Sequence, residues 1–239
     1  MVKVLLLFFF LLLNLQSSQS YKVSLAQLPL SAESLEKGTT VDLIKLLSKV
    51  TNTKIDISIS PFIRSFNSVL LGESDFHIPL IKNPYISENE LEFDYSTAEL
   101  YTVNFVLYTN TNKKIDINNL GKYNIYTDRA HTNYFGFKVY PITHIESALN
   151  MISLDRIDGY IFADVEVDPY IRKMKIKNIK RRLFKTYSVH AVLPKNKKNT
   201  EVDKMITKGM KIIKENGQWD LILGKYYGSY VNWQPNNIE

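Results

Sequence analysis

Three polar groupings in this chain have residue types and spacings suited to holding a charged solute. The loop "TDRAHTN", residues 127–133, follows a strand pattern and is the richest polar loop of the sequence. Arg129 and His131 could take an anion there, and Thr127 or Thr132 could donate a hydroxyl. Arg64 falls in the first turn of a helical pattern, where a cation opposes the helix dipole. Either its guanidinium takes a carboxylate in bidentate fashion or it pairs with an acid on the surface. Asp164 ends the apolar strand "GYIFAD". A carboxylate so placed contacts a ligand, pairs with a cation, carries a perturbed pKa or caps the following helix. Tyr85, Tyr95, Tyr101 and Phe135 could stack on a ring, although fifteen tyrosines make chance placement a competing account.

Other chemistries find no support. The histidines, His77, His131, His144 and His190, show no pairing at metal spacing, and the chain has neither a phosphate-binding Gly-rich loop nor a GxSxG elbow. The lack of cysteine removes disulfides, thiol catalysis, zinc-thiolate sites and a lipidated N-terminal cysteine together. No metal and no cofactor are expected. An enzyme would need an acid and a base across a cleft, for which Asp164 and His131 are the available pair.

The elements that position these residues begin after an export segment. Lys3 precedes the apolar run of residues 4–13, a polar stretch follows, and Ser18 and Ser20 are small residues where a signal peptidase reads. Ten apolar residues fall short of the roughly twenty that span a bilayer. The mature chain is expected to start at Tyr21, periplasmic, monomeric and without a lipid anchor. It carries 29 basic against 24 acidic residues, a net charge of +5. Eight of the basic residues lie in "YIRKMKIKNIKRRLFK", residues 170–185, with no acid among them. This run reads either as a solvated face, with Ile171, Met174, Ile176 and Ile179 as packing residues, or as a patch drawn to an anionic surface. An exported protein rarely meets nucleic acid, so no such partner is expected.

From Tyr21 strands and helices alternate. "YKVSLAQ" is a strand; Thr40 caps a helix on "VDLIKLLSKV"; "KIDISIS" is a strand; Ser60-Pro61 opens a helix that Gly72 ends; "DFHIPLI" is a strand. A second unit repeats this with "KYNIYT", a helix on "THIESALNMI" opened by a Thr143–Glu146 capping box, and "DGYIFAD". The pattern gives an α/β fold in two halves, each with its own parallel sheet. "LLGESDFHIPLI" and "SLDRIDGYIFADV" are thus the same helix-turn-strand sentence in each half, with Asp75 and Asp158 as turn residues. Two β-rich stretches, "FDYSTAELYTVNFVLYTN" and "YSVHAVLPKN", read as crossings between the halves, which implies a hinge. The first half then comprises residues 21–104 and 193–235, including a helix from Thr200 that Gly217 stops, and the second half comprises residues 105–192.

On "GTTVDLIKLLSKVTNTKIDI", "PFIRSFNSVLLGESDFHIPL", "ALNMISLDRIDGYIFAD" and "NGQWDLILGKYY", in that order, the chain resembles the type 2 periplasmic solute-binding proteins of the amino-acid-binding sort that serve ABC transporters. The resemblance implies a bilobal clamp that closes on a small ligand, with an inner-membrane permease or a sensor as partner. It also implies that the loop at residues 127–133 holds a ligand carboxylate through backbone N–H groups, that Asp164 receives an amino group, and that Arg64 belongs to a P-x-x-R element. One departure stands against ordinary amino-acid binding. Where such proteins carry Thr and Arg after the third strand, this chain has "IKNPYISENEL", and Lys82 or Asn83 lacks the planar fork of a guanidinium. The same fold hosts periplasmic dehydratases, so an enzyme remains the alternative to a binder, and an accessory protein docking through the basic segment is a third reading.

Overall fold

The computed structural model describes residues 20–237, so the expected export segment lies outside the described residues save for Ser20. Strand β1, Ser20–Ala26, is joined through helix α1, Thr39–Thr51, to β2, Lys54–Ser60, which lies parallel to it with Ser20 opposite Lys54. Helix α2, Phe62–Leu70, then leads to β3, Phe76–Ile81, parallel to β1 on its other side. Strand β4, Phe93–Asn110, carries the chain into the second half. There β5 (Ile125–Asp128), β6 (Tyr140–Ile142), α3 (Ile145–Ser153), β7 (Gly159–Ala163) and α4 (Asp164–Met174) repeat the parallel arrangement. Strand β8, Ile179–Pro194, runs back, and α5, Glu201–Glu215, packs on α1.

The two expected sheets are one. The crossings pair with each other antiparallel along nearly their whole length, from Phe93 opposite Pro194 to Asn110 opposite Ile179, and this ladder fuses the halves into a single sheet ordered β2-β1-β3-β8-β4-β7-β5-β6. Crossing strands of 18 and 16 residues have enough backbone to serve both halves at once. Two expected caps also differ. Helix α1 starts at Thr39 behind Gly38, so Thr40 is buried inside it, and α3 starts behind His144 with no side-chain cap, so the Thr143–Glu146 box does not form.

The repeated acidic residues share a job. Asp75 donates its N–H to Lys22 O at 2.8 Å while its Oδ2 accepts from Lys22 N at 2.7 Å. Asp158 does the same at the entry to β5, donating to Asn124 O at 3.2 Å and accepting from Asn124 N at 2.8 Å. Each therefore clips its own strand to the start of the neighbouring parallel strand and fixes the register there.

The basic segment divides between elements. Its first part ends α4, and Lys175 in the left-handed region (φ 53°) releases the chain into β8. Arg181 does not belong to a solvated face: it is 3 % exposed and forms a bidentate pair with Asp168, Nε to Oδ1 at 2.8 Å and Nη2 to Oδ2 at 2.5 Å. The C-terminal tail closes over this pair. Val231 and Trp233 carbonyls accept from Arg181 Nη1, Trp233 Nε1 donates to Asp168 Oδ2 at 3.1 Å, and the Trp233 ring lies 4.2 Å from the guanidinium. Residues 231–234 therefore sit on the second half, although sequence reasoning gives them to the first.

Candidate functional site

Loops at the carboxyl ends of β1, β2, β5 and β7 face one another between the halves, where open α/β sheets bind ligands. They enclose a groove of about 1160 Å³. Its first-half wall includes Leu28, Pro61, Phe62 and Ile63, and its second-half wall includes Arg129, the start of α3 and Tyr170. Glu33 with Lys37 and Glu146 with Lys173, all in the groove, are ion-paired. Below it lies a chamber of about 40 Å³ that shares Leu28, Phe62 and Phe162 with the groove and reaches Tyr101, His131, Glu166 and Tyr227.

The halves are in contact around this chamber. Glu166, in the first turn of α4 and 2 % exposed, accepts from Ser31 Oγ at 2.8 Å and from Leu30 N at 3.3 Å. Ser31 continues to the Tyr227 hydroxyl at 3.1 Å, which lies 3.3 Å from Thr39 Oγ1. At the other side Asn83 Nδ2 donates to Asn133 O at 2.9 Å. Burial pushes the Glu166 carboxyl up to about 7, against the opposing pull of its bonds from Ser31 and Leu30.

The residues expected from sequence separate. Arg129 lines the groove and is exposed, whereas His131 and Tyr101 line the chamber, buried at 4 % and 3 % exposure. The His131 ring stands edge-on to Phe62, Phe105 and Phe162 at 5.2–5.5 Å, and its Nδ1 is 3.6 Å from Asp128, beyond hydrogen-bond reach. His131 Nδ1 and Tyr101 Oη are buried without a hydrogen-bond partner among the described residues. Arg64 does not line the groove; α2 turns Phe62 and Phe66 to the protein and leaves Arg64 exposed. Arg64 and Arg129 therefore do not meet across the cleft in this arrangement. Thr127 is fully buried and donates to Ile161 O at 2.8 Å, and Thr132 Oγ1 donates to Arg129 O at 3.4 Å, so neither hydroxyl is turned to the groove. Asp164 lines neither space: it accepts from Asn104 Nδ2 at 3.3 Å and Val165 N at 2.9 Å, and burial raises its carboxyl to about 6. Lys82 pairs with Glu88 at 2.5 Å, so neither it nor Asn83 stands in for the absent arginine.

Sequence reasoning passes over Ser31, Glu166 and Tyr227. Glu166 carries a detectable signal, an acid between Val165 and Val167 on a helix whose next turn is buried, but Tyr227 and Ser31 meet it only through tertiary structure.

Two α/β halves joined by long antiparallel strands, with loops closing on a central cavity, define a bilobal clamp. The sequence pattern of the bacterial extracellular solute-binding proteins, family 3, matches residues 29–229, and the chain belongs to that family. No curated protein gives a significant sequence match. Among solved structures, a histidine kinase sensor domain with similarity to periplasmic binding proteins is 14 % identical, with a TM-score of 0.71 over 87 % of this chain and 96 % of that one. The GluR0 ligand-binding core from Nostoc punctiforme, in complex with L-glutamate, is 15 % identical, with a TM-score of 0.69 over 86 % and 98 %. The arginine-, lysine-, histidine-binding protein ArtJ from Geobacillus stearothermophilus is 15 % identical, with a TM-score of 0.67 over 89 % and 97 %. These likenesses show the two-lobed periplasmic-binding-protein fold. Among the described residues no helix is long and apolar enough to cross a membrane, and no group of three or more His, Cys, Asp or Glu is placed to hold a metal ion.

Proposed function

We propose that the protein is a non-enzymatic periplasmic binder that captures a small solute between its lobes and hands it to an inner-membrane ABC permease. Cleavage after Ser20 would release it as a monomer whose lobes comprise residues 21–104 with 193–235, less the tail at 231–234 that rests on the second lobe, and residues 105–192. The observation that carries this reading is the groove between the halves, with Glu166 of one half bonded to Ser31 and Leu30 of the other at its base. A ligand favouring this arrangement shifts the clamp toward closure by its differential affinity. Arg129 at the groove and His131 and Tyr101 in the chamber are the proposed contacts. Arg64, Thr127, Thr132 and Asp164 act on the ligand only if opening re-orients them.

Two features weigh against catalysis. His131 has aromatic neighbours rather than a carboxylate partner, and Asp164 is engaged by Asn104. The other pairing of nucleophile and base type, Ser65 Oγ at 2.7 Å from His77 Nδ1, is sealed in the core at 0 % exposure of both residues. A sensory role for the same clamp is favoured by the likeness to a histidine kinase sensor domain. Thermal unfolding of the mature protein against amines, amino acids, sugars and organic acids tests the binding reading. A ligand at a hundred times its dissociation constant adds about 2.7 kcal/mol, and the absence of any stabilisation across the panel would count against solute capture.

A further inference from the structure

The chamber at the base of the groove has an unusual charge inventory. Phe62, Tyr101, Phe105, Phe162 and Tyr227 supply aromatic surface, Glu166 is its single carboxylate, and no lysine or arginine lines it. Glu166 forms no ion pair among the described residues, and its hydrogen-bond donors, Ser31 Oγ and Leu30 N, are neutral. A buried carboxylate is costly unless a cation joins it. Tyr101 and His131 line the same space, and Tyr101 Oη and His131 Nδ1 are buried without a hydrogen-bond partner among the described residues, so either can accept a hydrogen bond.

We propose that the chamber takes the ammonium head of a primary amine that bears no carboxylate beside the nitrogen, and that the groove takes its apolar body. The proposal rests on the two-lobed capture reading and names the ligand class for it. Three acceptors of different elements, Glu166, Tyr101 and His131, match the three N–H donors of a primary ammonium, and the aromatic walls favour a cation over their faces. Size points the same way. About 40 Å³ exceeds the roughly 10–15 Å³ that admits one water, so it accommodates an ammonium head with its first methylene. The body would continue past Phe62 and Phe162, which both spaces share, toward Ile63 and Tyr170. An α-amino acid meets the opposite conditions. Its carboxylate, carried on the carbon next to the nitrogen, would enter the chamber beside Glu166, where no lysine or arginine lines the wall; Arg129 lines only the groove, Lys82 is paired with Glu88, and Arg64 lines neither space.

Three ligands with one body separate the charge types: 2-phenylethylamine, L-phenylalanine and 3-phenylpropionate, titrated calorimetrically into the mature protein. The amine is expected to bind tightest, and Glu166→Gln to weaken it about 30-fold or more, the scale of a buried charge losing its partner. Tyr101→Phe, which keeps the ring, provides a second variant and is expected to weaken the amine while circular dichroism stays unchanged. Tighter binding of L-phenylalanine or 3-phenylpropionate would overturn the ammonium assignment and leave solute capture standing. Undiminished amine binding in both variants would overturn it as well. If none of the three binds but a sugar or organic acid from the wider panel does, the assignment fails and the clamp reading survives; if nothing binds, both fail.

Discussion

Glu166 ties the lobes together at a cost that depends on pH. Its folded carboxyl is held near 7, above the ordinary carboxylate value of 4.5, so between those values the folded chain holds a proton that the unfolded chain has lost. Its contribution is fully present below about 4.5 and is lost as pH rises through 7, by roughly 3 kcal/mol at most. Glu166→Gln keeps an acceptor for Ser31 without the charge. It should therefore gain stability over the natural protein at pH 8 and lose that advantage at pH 5, as read by urea denaturation at both. Asp168 behaves differently because its cation is present. Asp168→Ala leaves Arg181 buried without its carboxylate, and the expected loss is about 3–5 kcal/mol. Of the residues that sequence chemistry singles out, Arg129, His131 and Tyr101 line the groove or chamber. Types and spacing show that a polar loop follows a strand, but not which way each side chain turns. Thr127 alternates inward on β5 and is spent on Ile161, whereas Arg64 shares a helix turn with Phe62 yet points elsewhere.

At the scale of elements the sequence is far more legible. Alternating Ile55, Ile57 and Ile59, the helical spacing of Val41, Ile44 and Leu47, and Gly217 at φ 74° after α5 are all local signals, and each marks the element expected from it. What local signals do not carry is pairing, so the fusion of two sheets through β4 and β8 is visible only in the ladder between them. The Asp75 and Asp158 clips lie between these cases, since the turn is local and the strand it holds is distant. Asp75→Ala should cost about 1–2 kcal/mol by loss of the bond to Lys22, measurable by chemical denaturation. Where α5 crosses α1, Gly209 permits close approach: a Cβ there would stand 2.2 Å from Leu47 Cδ1 and 2.8 Å from Thr51 Cγ2. Gly209→Ala is accordingly expected to destabilise by about 1–3 kcal/mol through overpacking, despite alanine's better helix propensity.

The whole molecule is joined across its middle by three strands of chain. Besides β4 and β8, the tail after Tyr227 passes from one lobe to the other, its Gly228 carbonyl accepting from Asn104 and its end resting on Arg181. In the N-terminal half of β8 the described strands pair with one side only, that of β4. On the other side the Gln234 amide meets Arg181, its Oε1 accepting from the backbone N–H at 2.9 Å and its Nε2 donating to the carbonyl at 2.9 Å. One side chain thereby imitates a neighbouring strand at an open rim, a position where unpaired backbone invites another copy to add itself. Removing residues 230–239 uncovers that rim together with the Arg181–Asp168 pair. The shortened chain should self-associate as its concentration rises, while the intact mature chain stays monodisperse in light scattering; the tail would then serve as a guard against aggregation as well as a tie between lobes.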